Sequence, residues 1–346
     1  MLFEKISLKT AGTLVLIFLF ARSAYPQETP YSMPVRVMFY NVENLFDTVD
    51  DSLKDDNEFL PAGMRRWNKT RYTRKINSLY KTIIAAGEWN PPAIVGLCEI
   101  ENRKVLEDII YGTYLSNFRY GIVHVESPDP RGIDVCMIYR EDLVTIVDYK
   151  SWLPRNAKRD EFHSRSLLYI KSAILGDTVH IFLNHWPSRR GGVLAGEPLR
   201  EDMALILKEA VDSLSDASGG ELKAIILGDF NCTPDDPVIK SLLKPVADSG
   251  AQLINLADRH INGVSGTYRY MGTWEMLDQV IVTRALLENE NGLHTDKRDF
   301  RIFMPDFLLR NDPKYSGMTT WSTYRGYKYQ GGISDHLPVL LDLHFR

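Results

Sequence analysis

Five short apolar runs, each bordered by amide, carboxylate or imidazole groups, constrain this chain more than any other feature. VRVMFY runs into Asn41-Val42-Glu43-Asn44, AIVGLC into Glu99, VHIFL into Asn184-His185, and KAIIL into Gly228-Asp229-Phe230-Asn231. Ser334-Asp335-His336 stands just before the last run, LPVLLDL. Runs this short and apolar read as buried strands. Polar groups at their ends then gather on one rim of an α/β sheet, where such proteins place their chemistry. Hard oxygen donors with histidine suit Mg²⁺, Ca²⁺ or Mn²⁺ and phosphate-ester hydrolysis better than zinc or a covalent nucleophile.

Between these runs the pattern alternates. Apolar positions from Tyr72 to Ile84 recur at three-to-four spacing, which predicts a helix capped by Asn68 or Thr70 and ending near Ala86, with Gly87 at its exit. A second helix is expected after Glu101-Asn102, and a third places Leu199, Met203, Ile206, Leu207, Ala210 and Leu214 on one face. Pro237 fits the first turn of a short helix capped by Asp235 or Asp236. Strands are expected near 119–125, 133–139, 144–149, 167–175, 178–184, 278–283 and 337–344. Hairpin neighbours beside crossover helices imply two mixed sheets packed together with helices outside, in one domain.

The N-terminus reads as an export signal over residues 1–23. Lys5 and Lys9 precede the apolar stretch Ala11 to Phe20, and Ala21-Arg22-Ser23 offers small residues for cleavage. A core of about ten residues is short for a membrane span. Residues 24–346 are left as the single domain of a secreted or periplasmic protein. Its three cysteines, Cys98, Cys136 and Cys232, are an odd number, spaced unlike a zinc cluster, and read as buried thiols. The formal charge of −4 becomes more negative without residues 1–23, which weighs against tight nonspecific nucleic-acid binding while leaving room for a local basic groove.

Hydrolysis of a phosphate ester needs charge neutralisation, an activated water and help for the leaving oxygen. Glu99 is the first-choice metal ligand, because a carboxylate ending an apolar strand is costly unless paired or coordinating. Asn41 and Glu43 are candidates for the same ion or its water shell. In LGDFNCTPDDP, Asp229 is positioned to orient or deprotonate water and Asn231 to donate to a phosphate oxygen, although an Asx-turn capping the next helix would use the same residues. His185, in NHWPSRRGG, and His336 are the histidines expected to touch substrate, with Asp278 of LDQVIVT fixing the His336 tautomer. His124, His163, His180, His260, His294 and His344 read as structural.

Taken in order, NVEN, LCEIEN, NHWPS, GDFN, LDQV and SDHLPV resemble the endonuclease/exonuclease/phosphatase superfamily, from Val35 to the C-terminus. That group includes deoxyribonuclease I, exonuclease III, neutral sphingomyelinases and inositol polyphosphate 5-phosphatases. The resemblance implies a four-layer α/β sandwich and Mg²⁺-dependent in-line attack by water, with Mn²⁺ or Ca²⁺ as substitutes. It places Asn41, Glu99 and Asp335 at the metal site, with Glu43 where abasic-site enzymes carry a shorter Asp. It assigns Asp229 and Asn231 to water and phosphate, Asp278 and His336 to the Asp–His pair, His185 to the second histidine of deoxyribonuclease I and sphingomyelinases, and Arg165 to a phosphate contact. Gln279 departs from the Tyr common after the orienting Asp.

Two segments bear on substrate. Arg65, Arg66, Lys69, Arg71, Arg74 and Lys75 form either a solvated helix face or a phosphate-binding patch. Tyr315, Trp321, Tyr324, Arg325, Tyr327, Lys328 and Tyr329 interleave aromatic and basic groups, as a nucleic-acid groove does, or pack as a loop over the sandwich edge. The expected activity is that of a secreted endonuclease acting on DNA or RNA. The alternatives are a sphingomyelinase- or phosphoinositide-type enzyme, acting on a phospholipid or inositol phosphate, and a silent binding protein. No stable protein partner is evident, and no long exposed aromatic hairpin for a membrane is visible in the sequence.

Overall fold

Two sheets carry the chain, and each contains one parallel pair. In a computed structural model, described over residues 33–88, 90–153, 165–189, 196–245, 251–258, 266–288 and 292–346, the first sheet takes β1 (Val35–Leu45), β2 (Ile94–Ile100), β3 (Tyr120–His124) and β4 (Asp134–Arg140). The second takes β5 (Val144–Trp152), β6 (Leu167–Ile174), β7 (Asp177–His185), β8 (Ala224–Asp229) and β9 (Leu253–Asn255). A short hairpin of β10 (Tyr268–Tyr270) and β11 (Thr273–Glu275) precedes β12 (Asp278–Thr283), which returns to the second sheet. Then β13 (Leu293–His294), β14 (Phe300–Ile302) and, after two short hairpin pairs, the C-terminal strand Val339–Phe345 complete the first. The strand orders are β13, C-terminal strand, β1, β2, β4, β3 and β5, β6, β7, β8, β12, β9.

Parallel neighbours need a long crossover. Helix α1 (Lys69–Ala86) lies in the connection from β1 to β2, and α3 (Glu197–Ala217) in that from β7 to β8. Asn68 caps α1 by accepting from the Arg71 amide, Asn102 caps α2 (Arg103–Tyr111), and Asp236 caps α4 (Pro237–Leu243). The apolar contacts sort into layers. Val37, Phe39 and Cys98 of one sheet meet Leu168, Ile181 and Leu227 of the other in the central core. Met38, Tyr40 and Leu97 pack outward on α1 and α2, while Phe182 and Ile226 pack outward on α3 and α4. This is a four-layer α/β sandwich, and residues Met33–Arg346 form one compact unit.

The expected elements are present within a few residues, the last strand beginning at Val339 because Leu337-Pro338 precede it. Cys98, Cys136 and Cys232 are free and buried. The proposed signal, residues 1–23, lies outside the described residues, as do His163, His260 and the 190–195 part of the basic loop. Among the described residues no helix is long and apolar enough to cross a membrane.

Candidate active site

Each parallel pair delivers its C-terminal ends to one rim. In the second sheet His185 is the register partner of Asp229, and Asp229 in turn pairs with Asp278 on β12. In the first, Asn41 pairs with Cys98, and Glu99 follows in a break of register. Glu43, Asn44, Glu99 and Asn231 all have positive φ, between 50° and 63°. These left-handed residues end the regular ladder and turn side chains out of the pleat. At Gly228 a Cβ would lie 2.5 Å from Asn184 Cβ and from its carbonyl oxygen, so only glycine lets β7 and β8 approach this closely.

The two sheets meet at Asn41. Its Nδ2 donates to Asp229 Oδ2 at 3.0 Å and lies 3.4 Å from Glu99 Oε1. Asp229 Oδ1 accepts from the Asn231 amide, and Glu99 Oε2 accepts from the Asn44 amide at 2.7 Å. His185 Nε2 stands 3.8 Å from both Glu99 Oε1 and Asp229 Oδ2, and His336 Nε2 stands 3.8 Å from the same Asp229 oxygen. Burial is the main reason that the Asp229 carboxyl titrates at about 6, with Asp278 adding to it and His336 opposing.

The two histidines have opposite characters. Burial opposes charge on His336, yet Asp278 and Asp229 outweigh it and hold its pKa well above the usual value. Its Nδ1 meets Asp278 Oδ2 at 2.7 Å, which leaves Nε2 toward the cleft. Thr267 completes the arrangement by donating from Oγ1 to Asp278 Oδ2 at 2.5 Å and accepting from the Asp278 amide. Burial, Arg165 and Arg131 instead hold His185 well below the usual value, so it is neutral. Arg165 Nη2 lies 3.2 Å from His185 Nε2. A guanidinium can only donate, so that nitrogen is the acceptor.

Several expected roles are revised by these contacts. Glu43 is not among the residues lining the cleft: its two oxygens accept from the Thr323 amide at 2.6 Å and the Tyr324 amide at 2.9 Å, so it clamps a loop. Asn41 Oδ1 accepts from the Glu43 amide at 3.0 Å, so Asn41 acts as a donor to the two carboxylates and not as an oxygen ligand in this orientation. Arg165 lines the cleft, but Asp129, His185 and the Trp186 carbonyl share its guanidinium. Asn231 Nδ2 donates to the same carbonyl at 3.0 Å. Gln279 is buried, bridging Asn255 and the Cys232 carbonyl, a packing role.

Glu99, Asp229, Asp335, His185 and His336 all line one cleft of about 670 Å³. Glu99 and Asp335 keep carboxylate oxygens there, and burial with the nearby Glu99 charge raises the Asp335 pKa, although His336 opposes the shift. Two crowded carboxylates of hard oxygen type fit a divalent cation. Asp229, Asp278 and His336 also bring ligand atoms within 4.8 Å of one another.

The two substrate segments pack on each other. The Arg65 guanidinium lies 5.1 Å from the Tyr324 ring centre and that of Arg71 4.4 Å from Tyr329. Lys75 is buried, donating to the Glu43 carbonyl and to Thr323 Oγ1, and is not part of a solvated face. Sequence reasoning also missed Thr267 and Tyr268, whose ring lies 4.9 Å from that of His336. The only early signal for them is their position shortly before LDQV. His124, His180 and His344 sit on Asp134, Tyr169 and Asp299, as structural histidines do.

A four-layer α/β sandwich with carboxylates, an amide and two unlike histidines on one rim has the construction of a phosphoric ester hydrolase. Residues 36–344 match the Endonuclease/Exonuclease/phosphatase family, and the chain belongs to it. Its fold is similar to that of a mannosyl-6-phosphatase from Bacteroides thetaiotaomicron VPI-5482, with TM-score 0.57 and 17% identity over 90% of this chain and 100% of that one. It is also similar to an endonuclease/exonuclease/phosphatase from Bacteroides vulgatus, with TM-score 0.54 and 17% identity over 90% and 99%. The human Nocturnin catalytic domain, solved with bound sulfate, gives TM-score 0.53 and 16% identity over 92% and 95%. At these identities the likeness is one of fold. No curated protein sequence matches the chain. Enzymes of the family are generally divalent-metal dependent, and this chain has a buried acidic and histidine cluster.

Proposed function

We propose that the chain is an exported, divalent-metal-dependent phosphodiesterase that cleaves a nucleic-acid phosphodiester with water. The observation that carries this reading is the convergence of Asn41 and Glu99 from one sheet with His185 and Asp229 from the other, beside His336. Glu99 and Asp335 would hold Mg²⁺, or Mn²⁺ or Ca²⁺ in its place, which when bound supplies Lewis acidity at a phosphate oxygen. Asp229, fixed by Asn41 and the Asn231 amide, accepts from the attacking water and aligns it. His336, charged and locked by Asp278, donates from Nε2 to the phosphoryl group or leaving oxygen. Neutral His185, Asn231 and Arg165 complete the polar lining.

Export is supported by the composition of residues 1–23. Arg189 and the half-exposed Tyr270 at the cleft support a nucleic-acid substrate, since they offer a phosphate contact and a stacking ring. A second reading, a small phosphomonoester, is favoured by the mutual packing of the Arg65–Lys75 and Tyr324–Tyr329 segments, which holds Arg65 at the cleft wall. A phospholipid head group finds less support, because the β10–β11 hairpin that exposes Tyr270 and Met271 is short. The test is a panel of plasmid DNA, RNA, a hexose 6-phosphate, an inositol phosphate and sphingomyelin with Mg²⁺, Mn²⁺ or Ca²⁺ and chelator controls. Metal-dependent cleavage of nucleic acid supports the proposal. Turnover of sphingomyelin alone removes the nucleic-acid substrate, and inertness on every ester removes the enzyme.

A further inference from the structure

Among the described residues four arginines line the cleft, Arg65, Arg131, Arg165 and Arg189, and three of them are tied to the protein by their terminal nitrogens. Arg165, which the resemblance assigns to a phosphate contact, spends Nη1 on Asp129 Oδ2 at 3.2 Å and Nη2 on His185 Nε2 and the Trp186 carbonyl, and its side chain is only 7% exposed. Arg65 donates from Nε to Glu58 and from Nη1 to the Gly326 carbonyl. Arg189 donates from Nε to the Asn231 carbonyl and from Nη1 to Glu275. Arg131 is different. Its amide donates to Asp129 Oδ1 at 2.9 Å and its Nε lies 3.4 Å from the same oxygen, while Nη1 and Nη2 make no hydrogen bond among the described residues. Its side chain is 36% exposed.

The loop that holds Arg131 joins β3 to β4 and is braced from within and from outside. The Gly132 amide donates to the Asp129 carbonyl at 3.0 Å, and the Asp129 amide donates to Ser127 Oγ at 3.3 Å. Lys54, from the loop after β1, donates from Nζ to the carbonyls of Ser127 at 2.9 Å and Asp129 at 3.2 Å. The buried Asp129 carboxylate thus gives one oxygen to each of two arginines, Oδ2 to Arg165 and Oδ1 to Arg131. One negative charge set against two positive ones leaves the pair cationic, and the half that reaches solvent is Arg131. Its charge is close enough to His185 to help depress the pKa of that ring. A guanidinium held at Nε presents its two terminal nitrogens as a fork, which matches two non-bridging oxygens of a phosphate. We propose that Arg131, positioned by Asp129, grips the non-bridging oxygens of the ester's reacting phosphate, while Arg165 fixes His185 and does not meet the substrate. The inference rests on the phosphoric ester hydrolase reading and adds which residue holds the anion.

The experiment measures inorganic phosphate binding by calorimetry in the presence of Mg²⁺. It also measures kcat and KM on an aryl phosphodiester, which has a single phosphate, and on a dinucleotide bearing a second one. The proteins are the wild type, Arg131→Ala, Arg131→Lys, Asp129→Asn and the double variant Asp129→Asn/Arg131→Ala, with melting curves to confirm folding. Arg131→Ala should weaken phosphate binding by about tenfold and lower kcat/KM on the aryl diester by about 100-fold. Arg131→Lys, a point charge without the fork, should restore only part of either loss. Asp129→Asn should also weaken phosphate binding, and the double variant should bind no worse than Arg131→Ala, because Asp129 acts on the anion through Arg131. Undiminished binding in a folded Arg131→Ala, or additive losses in the double variant, overturns the assignment. So does a wild type that binds no phosphate. A loss confined to the dinucleotide overturns it too, since Arg131 would then sit beside a neighbouring phosphate. A wild type inert on every ester overturns the hydrolase reading, and a tenfold loss of phosphate binding in Arg131→Ala would still support the anion site.

Discussion

Glu43 and Thr323, 280 residues apart in sequence, are joined by a 2.6 Å hydrogen bond from the Thr323 amide to Glu43 Oε2. The Tyr324 amide occupies the other oxygen, and Lys75 anchors Thr323 Oγ1 and the Glu43 carbonyl from α1. Removing this carboxylate strands two amides and takes away a charge that favours the buried Lys75 ammonium. Glu43→Ala should therefore cost about 3 kcal/mol of stability, read by urea unfolding. Glu43→Gln, which keeps an acceptor, should cost less and change Mg²⁺ affinity little. A large loss of metal affinity in a well-folded Glu43→Gln would return Glu43 to the ligand set.

Glu99 has the opposite expectation. Its carboxylate lies in the cleft and, among the described residues, accepts from the Asn44 amide and the Asn41 side chain, with His185 Nε2 3.8 Å away. Glu99→Gln should lower metal affinity by about 100-fold while leaving the melting temperature near that of the metal-free wild type. Titration calorimetry with Mg²⁺ or Mn²⁺ reads the difference, and chelation should abolish wild-type turnover.

His336→Ala should reduce kcat by about three orders of magnitude, because the group that donates at the reacting phosphate is lost. Asp278→Asn should fall between wild type and His336→Ala, and Thr267→Ala closer to wild type, with Thr267→Ser restoring rate. Steady-state kinetics on an aryl phosphate gives the ranking. Full turnover in His336→Ala would assign its role to another residue.

In the metal-free protein, the Asp229 carboxyl titrates at about 6 against an ordinary 3.8, chiefly through burial. Between those values the folded protein keeps a proton that the unfolded chain releases. Stability attributable to this group therefore falls as pH rises through that window and stays reduced above it. Urea unfolding in chelator should show the decline, and Asp229→Asn should flatten it. A wild-type profile that rises through the same window would contradict the burial argument.

Gly228→Ala would bring a methyl carbon 2.5 Å from Asn184 Cβ and carbonyl oxygen, which must shift β7 against β8. A stability loss of about 2 kcal/mol is expected. The rate should fall further than stability predicts, because His185 and Asp229 are the next register pair. Thermal melts and kinetics on the same sample separate the two losses.

The apolar runs made the strands legible, and their polar ends made the rim legible, because burial acts on short stretches of sequence. Asn68 and Asp236 were each one of two candidate caps, legible because a cap lies next to the helix it opens. Glu43 was not legible as a clamp, since its partners are backbone amides of a distant loop, and an amide carries no side-chain signature. Lys75 shared its sequence neighbourhood with solvated cations, and only its place on the inner face of α1 distinguishes it. The orientation of Asn41 likewise depends on Glu99 and Asp229, which arrive from different sheets.

In the central layer, a Cβ on Gly96 would lie 2.6 Å from the Leu183 side chain of the facing sheet. The halves of the reaction centre are thus spaced by hydrocarbon contacts that water never reaches. A methyl group added there, remote from any substrate, would press on the Leu183 side chain, two residues before His185 on β7. Catalytic rate in this chain is therefore open to tuning through its interior, with no change to the surface that a ligand meets.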